Sequence, residues 1–296
     1  MNKEIVENWF RELQDNICQT IENTDQKGKF EEDLWTREAG GGGRTRIIRN
    51  GKIIEKGGVN FSAVSGPTPP KILKALNLDT ADFFATGVSI VMHPQSPRVP
   101  IIHMNVRYFE MSNGTKWFGG GIDLTPHYVD KIDAKYFHNQ IKTICDQHHT
   151  SYYPEFKKWA DDYFYIQHRK ETRGIGGIFF DRLTETTEFS LADRWEFVKS
   201  VGSLFAPLYS HFMSKNKGLP YGENEKAWQY LRRGRYVEFN LVLDKGTKFG
   251  LDTDGRTESI LMSLPPQANW EYNYEVQPQS EEEKTLALLK KGIDWI

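Results

Sequence analysis

Apolar residues recur at helical spacing in five stretches of the chain. In the first stretch Ile5, Trp9, Leu13 and Ile17 fall on one face, which predicts an amphipathic helix over about residues 3–24. The same spacing predicts helices over residues 130–148, 154–168, 191–215 and 281–291. These helices lie at both ends and in the middle of the chain.

Runs rich in β-branched and aromatic residues fill the regions between the helices. The pair Asn50-Gly51 stands between two isoleucine pairs, which is a strong signal for a hairpin within residues 46–64. Further strands are predicted over residues 85–92, 101–111, 116–124, 236–243 and 259–264. Since the strands come in neighbouring pairs with short connections, we expect one α+β domain over residues 1–296, with the sheet and its helices in 40–296.

Composition narrows the class of protein. The 38 Lys and Arg residues nearly balance the 40 Asp and Glu residues, so the net charge of −2 provides no general attraction to nucleic acid or to an anionic membrane. The two cysteines, Cys18 and Cys145, lack the spacing of a metal site. No signal-peptide pattern and no run of ~20 apolar residues is present, so we expect a cytoplasmic protein without membrane insertion.

Four consecutive glycines, residues 40–43, precede Arg44 and Arg46. Such a run lets backbone N–H groups approach an anionic ligand or lets a lid move, and the arginines offer forked donors to a carboxylate. A flexible solvent loop is an equally good interpretation. A nucleotide-binding loop is excluded, because neither the Gly-Lys-Ser/Thr nor the GxGxxG pattern occurs.

Histidines and arginines next to predicted strands are the next candidates. Imidazole can titrate near neutrality, bind a metal or stay structural, and the four histidines at issue are far apart in sequence: His93, His103, His138 and His168. Arg107 lies within an apolar strand, where an unpaired charge is costly, so it is expected to face a cleft or a carboxylate.

Two acids stand near strand ends. Asp123 follows the glycine-rich segment 117–122, and Asp244 follows the predicted strand 236–243. A desolvated carboxylate there could act as a general base or accept ligand N–H groups. For Asp244 a structural turn role is equally compatible, since Asp-Lys-Gly is good turn chemistry.

Taken together, the long motifs resemble the oxygen-dependent coproporphyrinogen III oxidase family over nearly the whole chain. They are GGRTRII (42–48), GGVNFSAV (57–64), VSIVMHP (88–94), HMNVRYFEM (103–111), WFGGGIDLTP (117–126), YPEFKKWADDYFYIQHRKETRGIGGIFFD (153–181), RRGRYVEFNLVLDKGTKFGL (232–251) and DGRTESILMSLPP (254–266). The resemblance implies a large flat antiparallel sheet packed between helices on both faces, and a homodimer. It also implies conversion of two propionates of coproporphyrinogen III to vinyl groups, with dioxygen as co-substrate and no organic cofactor.

The resemblance also implies site residues. Catalytic roles fall to His103 as proton donor, Arg107, Asp123 and Asp244, and substrate contacts to Ser89, Asn105, Val106, Arg107, Arg173, Asp254, Gly255 and Arg256. The four histidines His93, His103, His138 and His168 match positions proposed as ligands of a divalent metal in bacterial members. One departure is Lys245, where eukaryotic members tend to carry Arg, so a bidentate contact there is in doubt.

Two other functions compete with this interpretation. A tetrapyrrole carrier without turnover could use the same arginines and aromatic residues. A metal-dependent hydrolase or oxygenase could use the four histidines, but it leaves the arginines unexplained. An acid and a histidine at cleft positions favour catalysis.

Overall fold

The computed structural model describes residues 1–68, 73, 80–252 and 255–296. Its centre is a seven-stranded antiparallel sheet in the order β1-β2-β3-β4-β5-β6-β9. The strands are β1 (Phe30–Thr36), β2 (Gly41–Arg49), β3 (Ile54–Pro67), β4 (Asp82–Pro94), β5 (Ile101–Met111), β6 (Lys116–Thr125) and β9 (Gly177–Leu183), with a separate pair formed by β7 (Tyr165–Ile166) and β8 (Glu171–Thr172). Six strands therefore follow sequence order, and β9 joins the edge at β6.

The hairpin between β2 and β3 confirms the Asn-Gly prediction. Asn50 has a φ of 53°, and Gly51 donates its backbone N–H to the carbonyl of Ile54 at 2.8 Å. A side chain on Gly51 would lie 2.5 Å from the Asp25 carboxylate at the end of the first helix. Glycine is thus required by the close approach of the turn to that helix.

Helices pack on one face of the sheet around a large apolar core. On this face lie α1 (Lys3–Asp25), α2 (Lys131–His148) and α4 (Leu191–Asn216), and α3 (Tyr152–Tyr163) packs on β9. Alternate strand residues point at them because side chains alternate along a strand. Buried examples are Val88, Ile90, Met104, Val106, Tyr108, Phe118 and Ile122.

The opposite face is covered by helices that follow α4 in the chain. It carries α5 (Glu223–Glu238), a π-helix (Phe239–Leu243), α6 (Lys245–Asp252) and α7 (Thr257–Leu261), and the last helix is α8 (Glu281–Leu288). Tyr236 of α5 packs on Val91 and Ile101, which point away from the main core. A single α+β domain with helices on both faces of a large antiparallel sheet is confirmed.

Two predicted strands are wrong. Residues 236–243 continue α5 into the π-helix, because Tyr236 and Phe239, three positions apart, both pack around the Arg173 side chain at helical spacing. Tertiary packing therefore overrides the β propensity of this run. In residues 259–264, α7 and its end replace a strand, since Ser259 bonds Thr45 and Met262 packs on Gly58.

Other boundaries also differ from the sequence prediction. The loop expected at residues 40–43 is wrong for residues 41–43, because β2 starts at Gly41 and pairs with β1 and β3 on its two sides. The helix predicted to reach residue 168 ends at Tyr163, where the chain turns into β7. None of the described helices combines the length and apolar character needed to cross a lipid bilayer.

Candidate active site

Five of the predicted site residues point to one face of the sheet, opposite the main core. On the paired strands β4, β5 and β6, Ser89 lies across from Asn105, and His103 lies across from Asp123. Asn105 and Arg107 share the parity of His103 on β5. Because alternate residues share a face, Ser89, His103, Asn105, Arg107 and Asp123 form one polar surface. Helices α5 to α7 and the π-helix cover this side of the sheet.

Glycines make room around Arg107. On the neighbouring strands, the residues across from Arg107 are Gly87 and Gly119. A side chain on Gly119 would lie 2.7 Å from the Arg107 Nη2 atom and 2.5 Å from Oδ1 of Asp181. The guanidinium can therefore lie close over the sheet only because Gly119 lacks a Cβ.

Arg107 is held by two oxygen acceptors. It donates from Nη1 to Asn105 Oδ1 at 2.7 Å and from Nη2 to Asp181 Oδ1 at 2.8 Å. About a third of each charged side chain is exposed, 35% for Arg107 and 34% for Asp181. Arg107 was expected to face a cleft or a carboxylate, and it faces the Asp181 carboxylate on β9. No strand was predicted at β9 from the sequence.

His103, Asp123 and Arg173 form a connected set of three. His103 Nδ1 lies 2.8 Å from Asp123 Oδ1, and Arg173 Nη2 donates to both Asp123 oxygens at 2.9 Å. Burial pushes the pKa of Asp123 upward, but the charge of Arg173 and the His103 bond outweigh it and lower the pKa. Asp123 is therefore ionised, so Nδ1 donates to it and Nε2 is the ring nitrogen left for a ligand.

An aromatic box encloses the guanidinium of Arg173. The guanidinium carbon lies 4.3 Å from the ring centre of Phe164, 4.6 Å from Phe239 and 4.8 Å from Tyr236. Nη1 donates to Asn240 Oδ1 of the π-helix at 3.0 Å. Burial lowers the pKa of Arg173, but the Asp123 charge more than offsets that and the pKa is raised. Arg173 is a fixed, buried cation that holds Asp123 rather than an exposed one that could bind a ligand directly.

Asp244 lies on the covering side, directly after the π-helix. Its Oδ1 accepts from the Tyr163 hydroxyl at 2.8 Å, and its Oδ2 accepts from the Thr247 backbone N–H at 2.7 Å. Asp244 therefore has the turn role that the sequence allowed, because its side chain caps the N-terminus of α6. The Asp244 charge also contributes to the raised pKa of Arg173.

Strand β9 connects Asp244 with Arg107. Phe179 and Asp181 are two positions apart on β9 and so share a face. Asp181 bonds Arg107, and the Phe179 ring stacks 4.1 Å from the Tyr163 ring, whose hydroxyl bonds Asp244. Arg107 and Asp244 thus lie on the same side of the sheet.

The remaining predicted substrate contacts are placed less uniformly. Arg256 donates to Asp33 of β1 and to Ser259, at the opposite end of the sheet from β9. Gly255 precedes it, and Asp254 lies outside the described residues. The Val106 side chain points into the main core and is fully buried, so only its backbone could meet a ligand.

The four histidines predicted as metal ligands are not brought together. His138 uses both ring nitrogens, toward Tyr153 and the Ile175 carbonyl, and burial lowers its pKa to about 3. His168 bonds Glu238, and the buried His93 bonds the Ser263 carbonyl. No group of three or more His, Cys, Asp or Glu in the described parts of the chain could hold a metal ion. These residues do not fit a shared metal site.

Sequence reasoning missed three partners of the predicted residues. They are Asp181 for Arg107, Tyr163 for Asp244 and Asn240 for Arg173. The alternation in Gly-Ile-Phe-Phe-Asp, residues 177–181, could have indicated a strand with Phe179 and Asp181 on one face. Nothing in the sequence alone pairs residues 81 positions apart, as Tyr163 and Asp244 are.

Comparison with known proteins shows the family of this chain. The family model described as coproporphyrinogen III oxidase matches residues 5–295. The chain is 49% identical to an oxygen-dependent coproporphyrinogen-III oxidase of Drosophila melanogaster, over 96% of this chain and 76% of that protein. It is 46% identical to a chloroplastic oxygen-dependent coproporphyrinogen-III oxidase of Glycine max, over 98% of this chain and 78% of that protein.

The fold and the comparisons define a single-domain α+β enzyme with a polar surface on one face of its antiparallel sheet. Within that class, the chain belongs to the coproporphyrinogen III oxidase family. This finding also favours the enzyme over the carrier alternative.

Proposed function

We propose that this chain oxidatively decarboxylates the A- and B-ring propionates of coproporphyrinogen III with dioxygen, giving protoporphyrinogen IX, carbon dioxide and hydrogen peroxide. The names of the two relatives support the proposal. The observation that carries it is the placement of His103, Arg107 and Asp244 on the same side of the sheet. A reduced tetrapyrrole with carboxylates at its rim and N–H groups at its centre is complementary to such a surface.

The chemistry requires electrons and protons to balance at each propionate. The carbon next to the ring loses a hydrogen with two electrons, the carboxylate leaves as carbon dioxide, and a C=C bond forms. Dioxygen takes the two electrons and, with one further proton, becomes hydrogen peroxide. The substrate ring is itself the reductant, so the residues need to bind, orient and move protons.

Arg107 is the proposed holder of the reacting propionate. Its guanidinium is partly exposed, and the bond to Asn105 fixes one of its nitrogens. A fork of this kind can bind a carboxylate in a defined orientation. Ser89 lies across from Asn105 in the next strand and is proposed as a further contact, as are Asp254, Gly255 and Arg256.

His103 is the proposed proton donor at the reacting group. Asp123 fixes the ring through Nδ1, and Arg173 fixes Asp123, so Nε2 is presented in one orientation. The carboxylate of Asp244 is proposed to accept pyrrole N–H groups and to assist deprotonation of one of them, which would make the ring more electron-rich. Tyr163 and the start of α6 hold that carboxylate in place.

The direct test is an assay with coproporphyrinogen III in air and without oxygen, followed by chromatography of the oxidised porphyrins. We expect vinyl-bearing product only in air. Absence of product in air, with binding retained, would establish a carrier instead. Product formed without oxygen would contradict the role given to dioxygen. Asp244→Ala should abolish turnover, and retained turnover would remove Asp244 from the mechanism.

Homodimerisation and a cytoplasmic location are further parts of the proposal. Exposed apolar side chains of the π-helix and α6, Leu241, Val242 and Leu251, support a contact with another copy. The interface predicted at a strand over 259–264 has no such strand, because that segment contains α7. Light scattering of the purified chain tests the dimer, and a monomer at working concentration would contradict it.

A metal requirement is tested separately. Because the four histidines do not meet, we expect turnover to be unchanged by a chelator and by the variant His138→Ala once its stability has been checked. Metal analysis of protein purified without added metal completes this test. Loss of turnover with the chelator, restored by a divalent metal, would overturn the expectation.

A further inference from the structure

The guanidinium proposed to bind substrate already has a carboxylate partner within the protein. Asp181 Oδ1 accepts from Arg107 Nη2 at 2.8 Å, next to Gly119 on the strand between them. Asn105 bonds a different nitrogen, Nη1, of the same guanidinium. Asp181 therefore occupies one of the positions from which a propionate could bind Arg107.

Exposure of both partners makes this ion pair exchangeable. About a third of each side chain contacts solvent, and exposed pairs of this kind contribute little to stability. The buried pair Arg173 and Asp123 on the same face differs, with only 3% and 1% exposed, and breaking such a pair is strongly unfavourable. Of these two ion pairs, Arg107 and Asp181 is the one that an incoming carboxylate could open.

We propose that Asp181 is a specificity-determining residue that competes with the substrate propionate for Arg107 and pairs with Arg107 again once that propionate has become a vinyl group. The inference rests on the proposed function. A propionate can replace the Asp181 carboxylate at Arg107, because both are anions. The neutral vinyl group cannot, so the protein's own carboxylate favours release of the converted ring edge.

Asp181 would therefore lower the affinity of the protein for a macrocycle whose propionate faces Arg107. It would not change the affinity for a macrocycle whose vinyl group faces Arg107. Removing its charge leaves the Arg107 charge uncompensated and open to substrate. If Asp181 instead served only to orient Arg107, its removal would weaken substrate binding. The two roles predict shifts of opposite sign.

The test is equilibrium binding of two oxidised, unreactive porphyrins, followed by quenching of tryptophan fluorescence. Coproporphyrin III carries four propionates, and protoporphyrin IX carries two propionates and two vinyl groups. In Asp181→Asn we expect the Kd of coproporphyrin III to fall about 3-fold, the effect of a partly exposed ion pair, and the Kd of protoporphyrin IX to stay constant. An unchanged or raised Kd of coproporphyrin III would overturn the proposal.

Matched variants separate a local effect from a general one. Asp146→Asn removes a carboxylate of equal exposure, 33%, which pairs with Lys142 on α2, and it should leave both Kd values unchanged. The Asp181→Asn effect should disappear in an Arg107→Ala background, and its persistence there would also contradict the proposal. Asp181→Ser provides a second neutral variant with the same expected shift if the first fails to fold.

The outcome is independent of turnover. Wild-type conversion of coproporphyrinogen III in air decides the proposed function, whereas the binding shift decides the role of Asp181. A wild-type enzyme that turns over while Asp181→Asn binds no tighter would leave the function standing and remove only this inference.

Discussion

The two faces of the sheet are built by the same strands but serve different purposes. On one face Val106, Tyr108 and Phe118 are fully buried against helices. On the other, the residues next to them in sequence, Asn105 and Arg107, carry hydrogen bonds and charge. Because side chains alternate along a strand, the residues that form the core and the residues proposed for chemistry occupy alternate positions of the same strands. A substitution at one position should therefore affect one property far more than the other.

The largest expected effect is on the core face. Phe118→Ala removes a fully buried ring that stacks 5.3 Å from Trp195, and we expect unfolding free energy to fall by about 4 kcal/mol. Urea denaturation measures the loss. Turnover per folded molecule at low temperature should be retained. If turnover vanished while the protein remained folded, the separation between the two faces would be wrong.

Arg173→Gln tests the buried charges of the site face. It leaves the ionised Asp123 without its main partner, so we expect a loss of about 3 kcal/mol in unfolding free energy. Arg232→Gln is a matched control, because Arg232 is equally buried but its partner Glu171 keeps 16% exposure. The control variant should lose less unfolding free energy. Adding Asp123→Asn to Arg173→Gln should restore part of the loss, and no restoration would contradict the charge argument.

His103→Ala addresses chemistry without removing core packing. Loss of a positioned proton donor should lower kcat about 100-fold or more. Unfolding free energy should change by less than about 1 kcal/mol, since Arg173 still holds Asp123 and a single hydrogen bond is lost. Steady-state kinetics and urea denaturation are the two measurements. A large loss of stability with normal kcat would reverse the assignment.

The smallest expected effect is on the stability of the protein at acid pH. Burial raises the pKa of Glu238, but hydrogen bonds from Arg169, His168 and Trp270 outweigh it and hold the pKa at about 2. A lowered pKa in the folded state contributes stability above the ordinary value of about 4.3, and that contribution is lost as pH falls toward 2. In Glu238→Gln the acid side of the stability curve should therefore be flatter. Equal slopes for wild type and variant between these pH values would contradict this.

Sequence reasoning succeeded where local pattern and final packing agree. The alternation of β4, β5 and β6 placed Ser89, His103 and Arg107 in strands, and the structure gives them one face. It failed at residues 236–243, where β-prone residues form a helix because Tyr236 and Phe239 surround Arg173. That arrangement depends on a guanidinium more than 60 positions earlier in the chain, which no local window contains.

The candidate site could also be predicted only in part. Individual residues such as Asp123 and Arg107 could be selected because charge in a strand context is unusual. Their partners could not, because Asp181 lies 74 positions from Arg107 and Arg173 lies 50 positions from Asp123. Nor could the separation of the four histidines be predicted, since His138 finds its partners, Tyr153 and Ile175, within its own part of the core.

The order of the strands in the sheet determines when each of them can pair during synthesis of the chain. Strands β1 to β6 each pair with the next one along the chain, so hairpins can form one after another as the polypeptide is synthesised. Strand β9 must wait until more than fifty further residues, including α2 and α3, have been made. Since β9 brings Phe179 and Asp181, a nascent chain carries Arg107 without its counter-charge. The polar face of the sheet is therefore completed late, by the last strand to join.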